Sequence, residues 1–367
     1  MKKILSLLTL MIMMLSLTAC LGEDVVMKEK PLTQLYDELS PSVVTVESYQ
    51  MNQLIGSGSG LVFDKKEENG DTNYYVLTNH HVVEGASHTR IYFTQENYEI
   101  GDVYMVSQVD NQGDFLSHED VAIVRFTSNK NYRVQEVLPY HNGQSIQSKI
   151  GEKVFAIGSP LGIEFHRLLS NEGTIGGLST YWTIHGATIN PGNSGGPLYS
   201  SVDGTFVGMN TQRVETTTDG KRDVIGVGMA INANQVAKII KELLASAKQN
   251  PKIGINIINS HSHDNPLGET VKGFLDIVID GFTPKDLIDE SIYGVVVTDV
   301  SLTRSAAGKL KAYDVITHVN NMRVETIEQL TAAVGKITLN QTIQFKVNRK
   351  TTTGYEVVDV TLNIDKL

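Results

Sequence analysis

With 367 residues, 41% hydrophobic and 20% charged, the chain has the composition of a globular protein and the length for two or three domains. A formal net charge of -10 argues against nucleic acid as a partner, because a phosphate-binding surface needs a basic face. Thirty-two glycines against nine prolines point to many tight turns rather than a disordered chain.

The first residues read as a targeting segment. Lys2 and Lys3 make a positive start, Ile4 to Leu17 is almost wholly apolar, and the small residues Thr18 and Ala19 follow. This apolar run is short for a membrane span and suits a secretion signal. Leu17-Thr18-Ala19-Cys20 resembles the lipobox of bacterial lipoproteins, in which the cysteine is lipidated and becomes the first mature residue. Cys20 is the only cysteine, so no disulfide competes for it. The expectation is a signal peptide over 1–19, lipidation at Cys20, a tether over 20–40, and an extracytoplasmic protein held on the bacterial cell membrane by its lipid.

Leu32 to Leu39 predicts a short helix ending near Ser40-Pro41. Short β-type runs follow at Val43–Val46, Gly60–Phe63, Tyr74–Thr78, Val121–Phe126, Lys153–Ile157, Phe206–Asn210 and Ile225–Ile231. Asn69-Gly70 is a hairpin signal between two of them. Many short strands without intervening helices predict a closed barrel or a sandwich. Val236, Ile239, Ile240, Leu243 and Leu244 then recur at helical spacing, predicting an amphipathic helix over Ala233–Ala247. Gln249-Asn250-Pro251 reads as a linker, dividing a domain over 41–248 from one over 252–367.

The chemistry concentrates in the first domain. In Gly192-Asn193-Ser194-Gly195-Gly196, glycines around a serine let the backbone turn sharply and aim its amides at one point, where they can stabilise an oxyanion. A serine nucleophile needs a base. Thr78-Asn79-His80-His81-Val82-Val83 supplies two candidates, His80 and His81. Asp120 stands directly before the apolar run Val121-Ala122-Ile123-Val124, whereas Asp110, Asp114 and Glu119 read as solvated loop charges. The chain order His, Asp, Ser is the chymotrypsin-type order.

Together with Gly56–Gly60, GEKVFAIGSPLG (151–162), INPGNSGGPL (189–198), Gly208–Thr211 and Gly226–Ile231, these segments resemble the HtrA (Deg) serine proteases. The resemblance implies a mainly β fold: a chymotrypsin-like double β-barrel followed by an α+β PDZ-like domain. It implies Ser194 as nucleophile, His81 as general base and Asp120 as its orienting acid, with Gly192, Asn193 and Ser194 around the oxyanion hole. Asn193 stands where trypsin-like zymogens carry an acid, so control by loop ordering at Phe165–Glu172 and Val214–Asp223 is expected in place of propeptide cleavage. Thr188, six residues before the nucleophile, with Asn210, Thr211 and Gly228, is expected to form the substrate pocket. No acid stands there, which predicts cleavage after small or medium aliphatic residues. His185 is expected in a loop or facing substrate, and the remaining histidines show no metal-binding spacing; no cofactor or metal is expected. His261 and His263 read as solvated loop residues.

Residues 252–367 resemble a PDZ domain. Ile253, Gly254 and Ile255 correspond to the carboxylate-binding loop, Gly294–Val300 and Ala312–Asn320 to core strands, and Thr326–Val334 to the groove helix. The family's Gly-Asp is replaced by Tyr313-Asp314, and the insertion Asn259–Ile292 is divergent. The expected partners are unfolded polypeptides at the protease site and C-terminal peptides bound by strand addition at the second domain, in a homotrimer if the family's assembly carries over. A chaperone that binds without cutting, and a signalling protease with one narrow substrate, are the alternatives.

Overall fold

The computed structural model describes residues 30–364 except 51–52, 69, 108–117, 138–139, 142–143, 146–147, 161–166, 214–225, 248–253, 265–269, 278–283, 303 and 336–339. The expected signal segment, Cys20, the loop Val214–Asp223 and Ile253 lie outside the described residues.

Helix α1 (Leu32–Leu39) forms as its pattern predicts, burying Leu35 and leaning Leu32, Tyr36 and Leu39 on the main core. Six antiparallel strands follow: β1 (Val43–Gln50), β2 (Gln53–Glu68), β3 (Asp71–Thr78), β4 (His88–Thr94), β5 (Asn97–Val106) and β6 (Ala122–Ser128). They close a barrel in the order β1-β2-β3-β6-β5-β4. The Glu68↔Asp71 pairing places the β2–β3 hairpin at residues 69–70, with Gly70 at φ 91°. The period-2 alternation of strands divides the apolar side chains. Val44, Val62, Val76 and Val124 point into the barrel, whereas Val43, Leu61, Leu77 and Ile123 point outward onto a second barrel.

That second barrel uses β7 (Lys153–Gly158), β8 (Leu168–Leu169), β9 (Gly173–Leu178), β10 (Trp182–His185), β11 (Pro197–Ser200), β12 (Phe206–Arg213) and β13 (Gly228–Asn232). The sheet runs β8-β7-β9-β10-β13-β12-β11 and closes through a β7–β11 pairing. Helix α2 (His80–Val83) is a single turn after β3, and α3 (Ala233–Ala247) follows β13. The Asn232 side chain caps α3 by accepting from the Gln235 amide at 2.9 Å. The α3 stripe Val236, Ile239, Ile240 and Leu243 packs between the barrels against Phe155, Tyr199 and Met209. Each such side chain contributes about 1.5–3 kcal/mol by burial.

Some boundaries differ from the sequence expectation. Strand β2 continues well beyond Gly60–Phe63, through the Gly-Ser run 56–60. Strand β13 begins at Gly228 instead of Ile225, because Gly226 turns the chain with φ 75°. Strands β4, β5, β9, β10 and β11 carry polar or glycine-rich sequences that hide their period.

The C-terminal sheet orders β14 (Ile255–Asn259), β15 (Val295–Val300), β16 (Val315–Val319), β17 (Thr342–Thr351) and β18 (Gly354–Asn363), with a short strand Met322–Arg323 beside β16. Helix α4 (Ile327–Val334) starts one residue later than expected and is capped by Thr326, whose side chain accepts from the Gln329 amide. It packs Leu330 on Val297, Ile316 and Phe345. Tyr313, in place of the expected glycine, takes φ 70°, a conformation that costs a side chain about 1–2 kcal/mol. Its ring packs near Phe274, 5.9 Å between centroids. The histidines of the insertion are structural. His261 stacks on Tyr293 at 3.8 Å, and His263 Nδ1 lies 3.1 Å from Asn259 Nδ2.

Asp314 is almost fully buried and is held by Arg349 through two bonds, Nε to Oδ1 at 2.7 Å and Nη2 to Oδ2 at 2.6 Å. Removing one partner of a buried pair leaves an uncompensated charge, a loss of about 3–5 kcal/mol. Arg349→Met is therefore expected to lower the unfolding free energy of the C-terminal domain by that amount, and adding Asp314→Asn is expected to recover part of it. Urea titration followed by circular dichroism reads both.

The two domains meet at a buried charge cluster. Asp102 on β5 lies 3.4 Å from both Arg125 Nη2 on β6 and Arg304 Nε of the C-terminal domain. Arg304 also donates to the Val103 carbonyl at 2.8 Å, and Asn256 on β14 donates to the Gly85 carbonyl at 3.2 Å.

Candidate active site

Three short segments converge where the barrels face each other. Strand β3 ends at Thr78, and the α2 turn then presents His81 with its side chain about half exposed. Asp120, one residue short of the apolar run that enters β6, is almost buried beneath it. It grips His81 twice: the His81 amide donates to Oδ1 at 3.0 Å, and Nδ1 lies 2.6 Å from Oδ2. The rival His80 lines a neighbouring cavity. A carboxylate so placed fixes ring orientation and keeps Nδ1 protonated, leaving Nε2 free to accept a proton.

Ser194 comes from the second barrel. Its hydroxyl donates to the Thr211 carbonyl at 3.0 Å. The turn that carries it needs glycine on both sides. Gly192 has φ 99° and Gly195 φ 82°, and a Cβ on Gly195 would lie 2.3 Å from both the Ser59 carbonyl and Thr78 Oγ1. The Asn193 amide is consumed by the Asn190 carbonyl at 3.0 Å, and the Gly196 amide by the Asn193 carbonyl at 2.9 Å. Among the described residues no group accepts from the Gly192 or Ser194 amides. The turn thus offers those two donors, while the Asn193 amide is already taken. The Asn193 carboxamide packs against Gly158 instead.

Two residues that sequence reasoning passed over hold the parts together. Ser59 on β2 donates its amide to the Ser194 carbonyl at 2.8 Å and its hydroxyl to the Gly192 carbonyl at 2.6 Å. Asn79 is fully buried and donates to the Asp120 carbonyl at 2.7 Å and to Thr211 Oγ1 at 3.0 Å. A polar residue wedged between an apolar strand and the histidine pair was the available signal for Asn79.

The expected pocket residues divide. Asn210 and Thr211 are buried on β12 beside Ser194, and Gly228 is buried on β13. Thr188 is exposed. His185 lies in a strand and not in a loop: it ends β10, only 2% exposed, opposite Ile175 and Gly228. Burial pushes the imidazole down to about 4, with the nearby Asn210 carboxamide acting weakly the other way, although neither ring nitrogen completes a hydrogen bond.

Folding therefore keeps His185 neutral well below the ordinary histidine range near 6.5. As pH falls from about 6.5 to 4, the unfolded chain takes up a proton that the folded chain refuses, so stability falls across that window, by up to roughly 3 kcal/mol. His185→Thr is expected to flatten this acid limb, read as the difference in unfolding free energy between neutral and acid buffer.

In the C-terminal domain Gly254 has φ 82° and accepts from the Ser301 amide at 2.8 Å. Gly254, Ile255, Leu330 and Val334 line a cavity of about 450 Å³ whose other wall includes Gly85 and Val103 of the first barrel.

Residues 58–209 match the trypsin-like peptidase domain model, and residues 251–362 match the PDZ domain model. The chain is 30% identical over 309 residues to the serine protease Do-like HtrA of Lactococcus lactis subsp. lactis, covering 80% of this chain and 67% of that protein. It is 30% identical over 355 residues to the serine protease Do-like HtrB of Bacillus subtilis, covering 88% and 69%. The chain belongs to the HtrA family of Do-like serine proteases. It is a serine endopeptidase with a trypsin-like domain followed by a PDZ domain. Among other HtrA relatives, a probable periplasmic serine endoprotease, DegP-like, of Chlamydia trachomatis is 29% identical over 75% of this chain and 49% of that protein.

Proposed function

We propose that the protein is an extracytoplasmic, membrane-anchored endopeptidase that hydrolyses peptide bonds of unfolded or damaged proteins through His81, Asp120 and Ser194. The observation that carries this reading is the double grip of Asp120 on His81 beside a glycine-flanked serine. Ser194 Oγ leaves the Thr211 carbonyl, passes its proton to His81 Nε2 and attacks the substrate carbonyl carbon. The Gly192 and Ser194 amides hold the oxyanion. His81 then returns the proton to the leaving amine, and water repeats the sequence on the acyl-enzyme.

Asn210, Thr211, Gly228 and Thr188 form the surroundings of the residue before the scissile bond, and their lack of an acid favours small or medium aliphatic side chains. The loop Gly254-Ile255, with Ile253, captures a peptide carboxylate while β14 and α4 hold the peptide. Cys20 carries the lipid, and the placement outside the cytoplasm agrees with the periplasmic naming of a relative. Asn193 lacks the charge to bind a new N-terminal ammonium, so activity requires no propeptide cleavage.

Digestion of unfolded casein tests the reading. The wild type is expected to degrade it, and Ser194→Ala to lose at least four orders of magnitude in kcat. Equal digestion by both would remove Ser194 from the chemistry; digestion by neither would favour a binding-only chaperone.

A further inference from the structure

We infer that His185 is a specificity-determining residue, its imidazole forming the floor of the pocket that takes the side chain before the scissile bond. The inference rests on the assignment of Ser194 as nucleophile. The Ser194 hydroxyl sits on the Thr211 carbonyl, so a bound side chain descends beside it. It passes between the segment 188–193, the end of β12 at Asn210–Arg213 and the start of β13 at Gly228. These strands are direct neighbours, with Arg213 and His185 both in register with Gly228.

The ring occupies the space that a side chain at 228 would take. A Cβ there would lie 2.5 Å from His185 Cε1, 2.8 Å from Nε2 and 2.9 Å from Ile189 Cδ1. His185, Ile189 and the bare Gly228 backbone therefore meet at one point beneath the cleft. Thr188 is exposed and does not close it.

The chemistry of the ring suits a floor. It is 2% exposed with neither nitrogen hydrogen-bonded, and it is neutral, so it offers no charge to attract Lys or Arg. A rigid plane at that depth admits Ala or Val and blocks Leu, Met or Phe. Shortening the floor changes which side chains fit and leaves the Asp120–His81 grip untouched.

The test uses the full-length protein and a peptide series differing only in the residue before the scissile bond. The ratio of kcat/KM for Leu over Val is the readout, since pockets that gain or lose a methylene discriminate by about 10–200-fold. His185→Ala is expected to raise that ratio about tenfold or more, and His185→Phe, which refills the volume, to keep the wild-type ratio. Cleavage sites in casein mapped by mass spectrometry should move the same way. If His185→Ala does not fold, His185→Val gives a smaller enlargement and is expected to raise the ratio in the same direction. An unchanged ratio in an active, folded enlarged variant overturns the proposal. A wild type no faster than Ser194→Ala on every peptide is a different result, one that overturns the nucleophile assignment on which the proposal stands.

Discussion

Asp120→Asn is expected to lower kcat about 10⁴-fold while the protein stays folded. The carboxylate now makes two bonds to one residue, accepting from the His81 amide and facing Nδ1. A carboxamide has one oxygen and one NH₂. Its oxygen is claimed by the His81 backbone N–H, which has no other acceptor among the described residues. The NH₂ then faces Nδ1 and makes it an acceptor, which places the ring proton on Nε2. A protonated Nε2 cannot take the proton of Ser194. The check is a kcat measurement beside a thermal melt: a large loss in kcat with an unchanged melt is the expected pair. A loss below tenfold would mean that Asp120 does not set the tautomer.

Asp102→Asn is expected to loosen the C-terminal domain from the first barrel. Asp102 is 2% exposed and is the carboxylate lying between Arg125 and Arg304, whose side chains are themselves almost buried. Both guanidiniums also flank the Tyr104 ring, at 4.9 and 5.8 Å. Without the carboxylate, two cations face each other away from water, a loss of about 3–5 kcal/mol. Arg304 can escape that repulsion by leaving β5, since it belongs to the other domain, whereas Arg125 is fixed within β6. Hydrogen exchange should therefore show the amides of β14 and β15 losing protection while β6 keeps it. Arg304→Met, which leaves Asp102 paired with Arg125, should separate the domains with a smaller loss of barrel stability. Equal effects of both substitutions on the barrel would place the cost within β5 and β6 and not between the domains.

Much of the site was legible in the sequence because its parts are local. Glycines flanking Ser194, and a carboxylate immediately before an apolar run, are visible within a few residues. The α3 helix was legible because an interface helix carries its period in one continuous stripe. What stayed hidden was set by contacts distant in the chain. Ser59 reads as part of a Gly-Ser run, yet it joins the two barrels because β2 passes under the 192–194 turn. His185 reads as a loop residue because its burial comes from Gly228, more than forty positions away. Strand β4, with His88 and Arg90, alternates too irregularly to show a buried face, although Ile91 and Phe93 are core residues. That the Asn193 amide turns to the Asn190 carbonyl could be read only from the folded turn.

His81 and Asp120 belong to the first barrel and Ser194 to the second, joined through Ser59. On the proposed assignment the base stands in one barrel and the nucleophile in the other, so neither barrel holds both. The association of the barrels brings the three side chains together and buries Leu61, Leu77, Phe155 and Ile157 in the same event. A copy whose barrels part would lose that constellation and uncover those apolar strands in one step.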